Sequence, residues 1–149
     1  MTPGLAFFYG GLVKAKSVVS MIMLSFGSLA LIAVLWVLYG YAITFADVGD
    51  SGWMGIPHII GIDTSSLGLS AQVAESANPV GAFPELAFVS FQATFAIITV
   101  ALISGAIADR AKFGAWMVFA GVWATLVYFP VAGWVFNFTP EDDGGWIVD

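Results

Sequence analysis

Three long runs without a charged side chain dominate the sequence. They contain 30, 23 and 28 residues: Ser17–Ala46, Leu86–Ala108 and Phe113–Pro140. A helix needs about 20 apolar residues to cross about 30 Å of hydrocarbon. We therefore predict complete membrane-spanning helices over residues 17–46, 86–108 and 113–136. Composition agrees, because 9% of the 149 residues are charged, against about 25% in soluble proteins.

The stretches outside these runs predict one partial helix and two loops. Residues 1–13 are uncharged but too short to span. Lys14 and Lys16 follow this stretch, whereas a signal peptide carries its positive charge in front of the apolar part. We expect the end of a helix here. Gly and Pro residues are dense between 47 and 85 and exclude a long regular helix, so 47–85 and 137–149 are predicted to be loops.

The positions of the charges predict an orientation. All four basic residues lie in two short connectors that this topology places on one face: Lys14, Lys16, Arg110 and Lys112. Basic residues that flank membrane helices stay on the cytoplasmic side. We expect these four in the cytoplasm and loop 47–85 outside. The expected fold class is thus an all-α, polytopic (multi-pass) protein of the plasma or inner membrane.

Residue types that carry out catalysis or bind metals are scarce. The chain has no cysteine, and its one histidine, His58, lies in the Gly- and Pro-rich loop without a predicted acid or hydroxyl partner. Glu141–Asp143 are adjacent and lack the alternating ligand spacing of a calcium loop. We predict no enzyme activity, no metal site and no cofactor. A net charge of −6 gives no indication of nucleic acid as a partner.

The second uncharged run carries the most informative pattern. Phe88, Phe91 and Phe95 recur at spacings of three and four, and Leu102 follows seven residues later. This spacing predicts one helix face with stacked rings. Gln92 lies in the same run, and a primary amide inside a membrane is costly unless it meets protein or water. We expect this helix to be buried in a bundle or to line a pathway.

Four segments of the sequence resemble the ammonium transporter family (Amt/Mep/Rh). They are MTPGLAFFYGGLVKAKSVVSMIM, LWVLYGYAITF, FQATFAIITVALISGAIADRAKF and YFPVAGWVF. The resemblance covers nearly the whole chain apart from the outer loop. It implies an eleven-helix fold, with two inverted halves of five helices and a final one, in homotrimers whose subunits each have a pore. The chain would supply the end of helix one through helix four, and we expect a fragment.

The resemblance also implies roles for individual residues. Phe95 matches the second Phe of FQATF, which forms half of a paired phenyl gate below the outer vestibule. Phe136 matches a position where many members carry the Trp of an aromatic cup that recruits ammonium. A Phe there should weaken recruitment, unless a one-turn adjustment lets Trp134 compensate. Gln92 would support the site through hydrogen bonds or serve only to bridge the structure.

Other matches lie along the family's apolar conduit, and for each of them packing is an equally good explanation. They are Leu5, Phe8, Tyr9 and Leu102. The family's pore histidines and its DFAGG-type aspartate have no counterpart in the sequence. On the cytoplasmic face, the resemblance implies a PII-type signal protein as a partner of some members.

The implied function is transport of ammonium or ammonia. The cation is recruited at the aromatic cup and loses its proton, and neutral ammonia then passes through an apolar pore, where an ion would pay a much larger desolvation cost. Three alternatives remain: an ammonium sensor on the same scaffold, a non-functional remnant, and a helical bundle of another permease class.

Overall fold

The computed structural model describes residues 1–45, 61–74, 84–136 and 147. All regular structure in these ranges is helical. We label the helices α1 (Thr2–Leu12), α2 (Ala15–Thr44), α3 (Ser70–Ala74), α4 (Glu85–Ile107) and α5 (Phe113–Phe136). Within the described ranges, α2, α4 and α5 are the helices long and apolar enough to span a membrane. The predicted class, an all-α protein with three full spans and a shorter first helix, is confirmed.

Helix α2 lies at the centre of the bundle and packs against α1, α4 and α5. The core consists of large side chains from α2 and α5 and smaller ones from α4. Trp36 of α2 and Trp116 of α5 are each 1% exposed. The Trp36 indole N–H donates to the Val89 carbonyl of α4 at 3.2 Å, and the Trp116 indole N–H donates to Ser28 Oγ of α2 at 3.0 Å. These two indoles therefore connect α2 to both neighbouring spans.

Contacts between the helices show that neighbours in the chain alternate in direction. The end of α2 meets the start of α4, where the Tyr41 hydroxyl donates to Glu85 Oε1 at 3.1 Å. The end of α1 meets the end of α4, where the Tyr9 hydroxyl donates to the Leu102 carbonyl at 3.1 Å. Consequently the α1–α2 and α4–α5 turns, which carry all four basic residues, lie at the same end of the bundle.

Two spans contain a π-helical turn, at Trp36–Gly40 in α2 and at Ala124–Tyr128 in α5. The turns are joined by a hydroxyl pair, Tyr39 and Thr125, whose oxygens lie 2.8 Å apart. Thr125 Oγ1 donates its one hydrogen to the Gly121 carbonyl, so Tyr39 is the donor in the pair. In α5 the π turn ends two residues before Pro130, whose missing N–H interrupts α-helical hydrogen bonding.

Hydroxyl groups along the spans donate to carbonyls of their own helix. The buried Ser28 donates to Leu24 and the buried Thr44 to Gly40, at 2.9 and 2.8 Å. The same pattern with distances of 2.6–3.4 Å holds for Ser25, Ser90, Thr94, Thr99, Ser104 and Thr125. Each of these hydroxyl hydrogens thus has a carbonyl acceptor three or four residues earlier in the same helix.

Residues 61–74 form a short turn followed by α3, against the end of α2. The Asp63 N–H donates to the Ala42 carbonyl at 3.0 Å. The Asp63 side chain accepts hydrogen bonds from the backbone N–H and hydroxyl of Ser65 and from the hydroxyl of Ser66. Partial burial opposes ionisation, yet these hydrogen bonds hold the pKa of Asp63 below its ordinary value. The carboxylate therefore anchors this turn in its charged form.

Candidate functional site

Three phenylalanine rings meet between α4 and the last residue of α5. Phe91 and Phe95 are neighbours on α4, with ring centroids 5.0 Å apart and planes at 79°. Phe95 and Phe136 face each other across the two helices, with centroids 6.5 Å apart and planes at 33°. Phe95 and Phe136 are half-buried and Phe91 is 58% exposed. The structure thus brings together the two residues predicted for cation recruitment.

The two residues predicted to support this site have different surroundings. Gln92 follows Phe91 on α4 and is buried, at 7% exposure, as expected for an amide at membrane depth. Trp134 is half-buried on α5, two residues before Phe136, and its carbonyl accepts a hydrogen bond from the Ile147 N–H at 3.3 Å. Phe136, two residues further along, brings its ring to 6.5 Å from that of Phe95.

Phe88 departs from the predicted stack of rings. Its ring lies 5.2 Å from that of Phe45, the residue that follows α2, with planes at 65°. Residues three apart on a helix differ by about 60° in direction, so Phe88 can turn toward α2 while Phe91 turns away. Phe91, predicted in the same stack, does lie beside Phe95. Its four-residue spacing from Phe95 was the signal that could have assigned it to the site.

A second group of predicted residues meets at the other end of α4. Tyr9 of α1 donates to the Leu102 carbonyl, and its ring lies where a side chain on Gly105 would have to go, because a Cβ there would be 2.8 Å from Tyr9 Cζ. A cavity of about 260 Å³ lies beside this contact. Tyr9 and Leu102, both predicted to line or flank the conduit, are therefore brought together.

The remaining conduit candidates make fewer contacts. Phe8 is 62% exposed and its ring lies 5.8 Å from that of Tyr9. Leu5 is half-buried one turn earlier on α1. Phe95 and Leu102 lie seven residues apart on α4, about 10 Å along its axis, and Leu102 is 48% exposed. A face of α4 with apolar side chains thus leads from the ring pair toward the Tyr9 contact.

The chemistry available in this region is binding rather than catalysis. Rings and aliphatic side chains hold no proton that could be transferred, and the described ranges contain no group of three or more His, Asp or Glu residues able to hold a metal ion. An aromatic face attracts a cation through its quadrupole. His58 and Glu141–Asp143, considered above as polar candidates, lie outside the described residues.

The fold and these contacts define a multi-pass helical membrane protein with an aromatic pair at one end of a span. The chain belongs to the Ammonium Transporter Family, whose family model matches residues 1–149. It is 54% identical to an ammonium transporter of Mycobacterium tuberculosis (strain ATCC 25618 / H37Rv), over 100% of this chain and 33% of the relative. It is 43% identical to an ammonium transporter of Bacillus subtilis (strain 168), over 99% of this chain and 33% of the relative.

Solved structures agree with this assignment. Mep2 from Candida albicans superposes with a TM-score of 0.71 at 28% identity, over 89% of this chain and 27% of that one. A mutant of the same protein gives a TM-score of 0.77 at 28% identity, over 99% of this chain and 30% of that one. The chain spans about a third of the length of the curated relatives named above.

Proposed function

We propose that this chain forms part of a conduit for ammonium and ammonia, and that the cation is recruited between Phe95 and Phe136. The observation that carries the proposal is the ring pair itself. A cation held between two rings with centroids 6.5 Å apart lies within the range of about 6 Å from both centroids in which the attraction is felt. Half-burial of both rings reduces competition from water.

The apolar face of α4 supports passage of the neutral form. Between Phe95 and Leu102 the helix has no charged residue, and Thr99 Oγ1 donates to the Phe95 carbonyl at 2.7 Å. An ion on such a surface loses its hydration without replacement, whereas ammonia carries no net charge and loses much less. The path along α4 would therefore favour the neutral form, and this chain's contribution is the aromatic site and one wall of the path.

The charge distribution supports an orientation for this path. The two basic turns lie at the same end of the bundle, and positive turns remain in the cytoplasm. This supports an orientation with Lys14, Lys16, Arg110 and Lys112 inside and the Phe95–Phe136 pair toward the outer side, where the cation would arrive. A homotrimer and a PII-type signal protein on the cytoplasmic face are the partners that we propose from family membership.

The proposal is tested in a chimera. Residues 1–149 replace the matching third of the M. tuberculosis transporter, and uptake of radiolabelled methylammonium is measured in a strain that lacks its own ammonium transporters. We expect saturable uptake and restored growth on low ammonium. Phe136→Ala should raise the half-saturation concentration roughly two- to thirtyfold, the range of a ring–cation contact.

The matched control is Phe119→Ala, which removes an exposed ring from the same helix, away from Phe95. It should leave half-saturation unchanged. A chimera present in the membrane at the level of the parent transporter but without uptake would contradict the transport proposal. Equal effects of the two substitutions would contradict the recruitment site.

A further inference from the structure

The ends of α2 and α5 interlock close to the aromatic site. Phe129 of α5 is fully buried, and its ring lies where a side chain on Gly40 of α2 would have to go, since a Cβ there would be 2.8 Å from Phe129 Cζ. One turn further, a Cβ on Gly133 of α5 would be 2.7 Å from the carbonyl oxygen of Thr44. Each helix therefore supplies a glycine at which the other approaches closely.

Thr44 bonds to both helices at this contact. It is 1% exposed, and its Oγ1 lies 2.8 Å from the Gly40 carbonyl of its own helix and 3.3 Å from the Phe129 carbonyl of α5. The one hydroxyl hydrogen is shared between the two acceptors. Thr44 contacts α5 at Phe129 and again at Gly133, one turn apart. Because of these two contacts, it fixes the position of α5 along the helix axis and the rotation of α5 about that axis.

Rotation matters here because a π turn precedes the contact. A π turn holds one residue more than the α-helical turn that it replaces, so the residues after it are turned by about 100° relative to an uninterrupted α-helix. The turn Ala124–Tyr128 ends directly before Phe129. Phe136 follows Gly133 by less than one turn on the same helix, so any rotation at the contact reaches its ring.

We propose that Thr44 is a positioning residue for cation recruitment. By holding α5 at Phe129 and Gly133, it keeps the ring of Phe136 against that of Phe95. Its hydroxyl therefore sets the affinity for the recruited cation without touching it. This inference rests on the proposed function, and it adds a residue on a third helix to a site formed by α4 and α5.

The test uses the same chimera, with methylammonium as the probe. Thr44→Val keeps the shape and removes the hydroxyl. We expect it to raise the half-saturation concentration about two- to fivefold, a fraction of a full ring–cation contact, with the maximal rate unchanged. Thr44→Ser restores the hydroxyl and should restore the affinity. Ser25→Ala, which removes another fully buried hydroxyl of α2, should have no effect.

A double-mutant cycle separates positioning from general stability. If Thr44 acts through the ring, Thr44→Val has no further effect once Phe136→Ala is present. The inference is overturned if Thr44→Val leaves half-saturation unchanged, lowers only the maximal rate, or has the same effect in both backgrounds. If the Val variant does not reach the membrane, Thr44→Ala removes the same hydroxyl from a smaller side chain, and the same cycle decides.

These outcomes are distinct from failure of the proposed function. That failure is seen in the unsubstituted chimera as absence of uptake. The positioning role is judged from changes relative to an active chimera. An active chimera whose affinity is indifferent to Thr44 would keep the transport proposal and reject the positioning role.

Discussion

Replacing Phe136 by Trp gives the sharpest test of the recruitment geometry. The ring of Phe136 is half-buried, and its centroid lies 6.5 Å from that of Phe95. A cation midway between the centroids would be about 3.3 Å from each, well inside the limit of about 6 Å. Trp is the strongest of the three aromatic residues toward cations, so Phe136→Trp should tighten binding.

The size of the effect follows from the exposure of the site. Cation–π contacts contribute about 0.5–1 kcal/mol at exposed positions and about 2 kcal/mol when desolvated. For a half-buried ring we take an intermediate value, and assign about 0.5–1 kcal/mol to the gain from Phe to Trp. Since 1.4 kcal/mol corresponds to a factor of ten, the half-saturation concentration for methylammonium should fall about two- to fivefold.

The assay is methylammonium uptake by the chimera over a range of concentrations. Phe119→Trp on the same helix is the control, because Phe119 is 46% exposed and its ring contacts Trp116 rather than Phe95. An unchanged or higher half-saturation concentration for Phe136→Trp, with the control equal to the parent, would refute recruitment at this ring.

Two further predictions concern stability. Trp116→Phe removes the indole N–H that donates to Ser28 Oγ and to the Leu24 carbonyl. It should destabilise the bundle by about 1 kcal/mol, measured as a lower Tm of the chimera in detergent. An unchanged Tm would show that this N–H contributes nothing to stability. Hydrogen bonds hold the pKa of Asp63 below its ordinary value of 3.8. The stabilisation of the turn by this carboxylate is therefore complete above that pH and is lost as the pH falls through the lowered pKa. The protection factors for hydrogen exchange in residues 61–74, which correct for the change of the intrinsic exchange rate with pH, should decrease on acidification through that range, and this decrease should be absent in Asp63→Asn.

The three membrane-spanning helices could be predicted from the sequence because their cause is local. A run of residues without charge that is long enough to cross hydrocarbon has few alternatives to a helix, since every backbone group must be satisfied within the segment. The buried amide of Gln92 followed from the same reasoning. No knowledge of the neighbouring helices was needed for either prediction.

Features that depend on contacts between helices could not be read in this way. The π turns of α2 and α5 are joined by the hydrogen bond between Tyr39 and Thr125. Neither segment of sequence indicates which residue of the other helix it contacts. Phe88 was expected in the ring stack, but its ring contacts that of Phe45, the residue that follows α2. Periodicity predicts which residues share one face of a helix, but it does not predict which residues of other helices pack against that face.

The pairing of Phe95 with Phe136 is another feature that depends on a contact between two helices. The two residues lie on different helices, and spacing alone could not place them together. Only the resemblance of FQATF and YFPVAGWVF to family segments pointed to both. Their roles in recruitment, and those of Gln92, Trp134, Leu5, Phe8, Tyr9 and Leu102, stay predictions that the uptake experiments address.

The hydroxyl groups bonded within their own helices have a consequence for biogenesis. During synthesis α2 enters the membrane before α5, the helix that carries the Trp116 partner of Ser28, has been made. Because Ser28 and Thr44 already donate to Leu24 and Gly40, their hydrogens are satisfied while α2 is surrounded by lipid. When α5 arrives, Ser28 Oγ still has a lone pair for the Trp116 N–H. Ser28 and Thr44 therefore carry no unsatisfied donor while α2 inserts, whereas the hydroxyls of Tyr39 and Tyr41 gain their acceptors, Thr125 and Glu85, only when α5 and α4 assemble with α2.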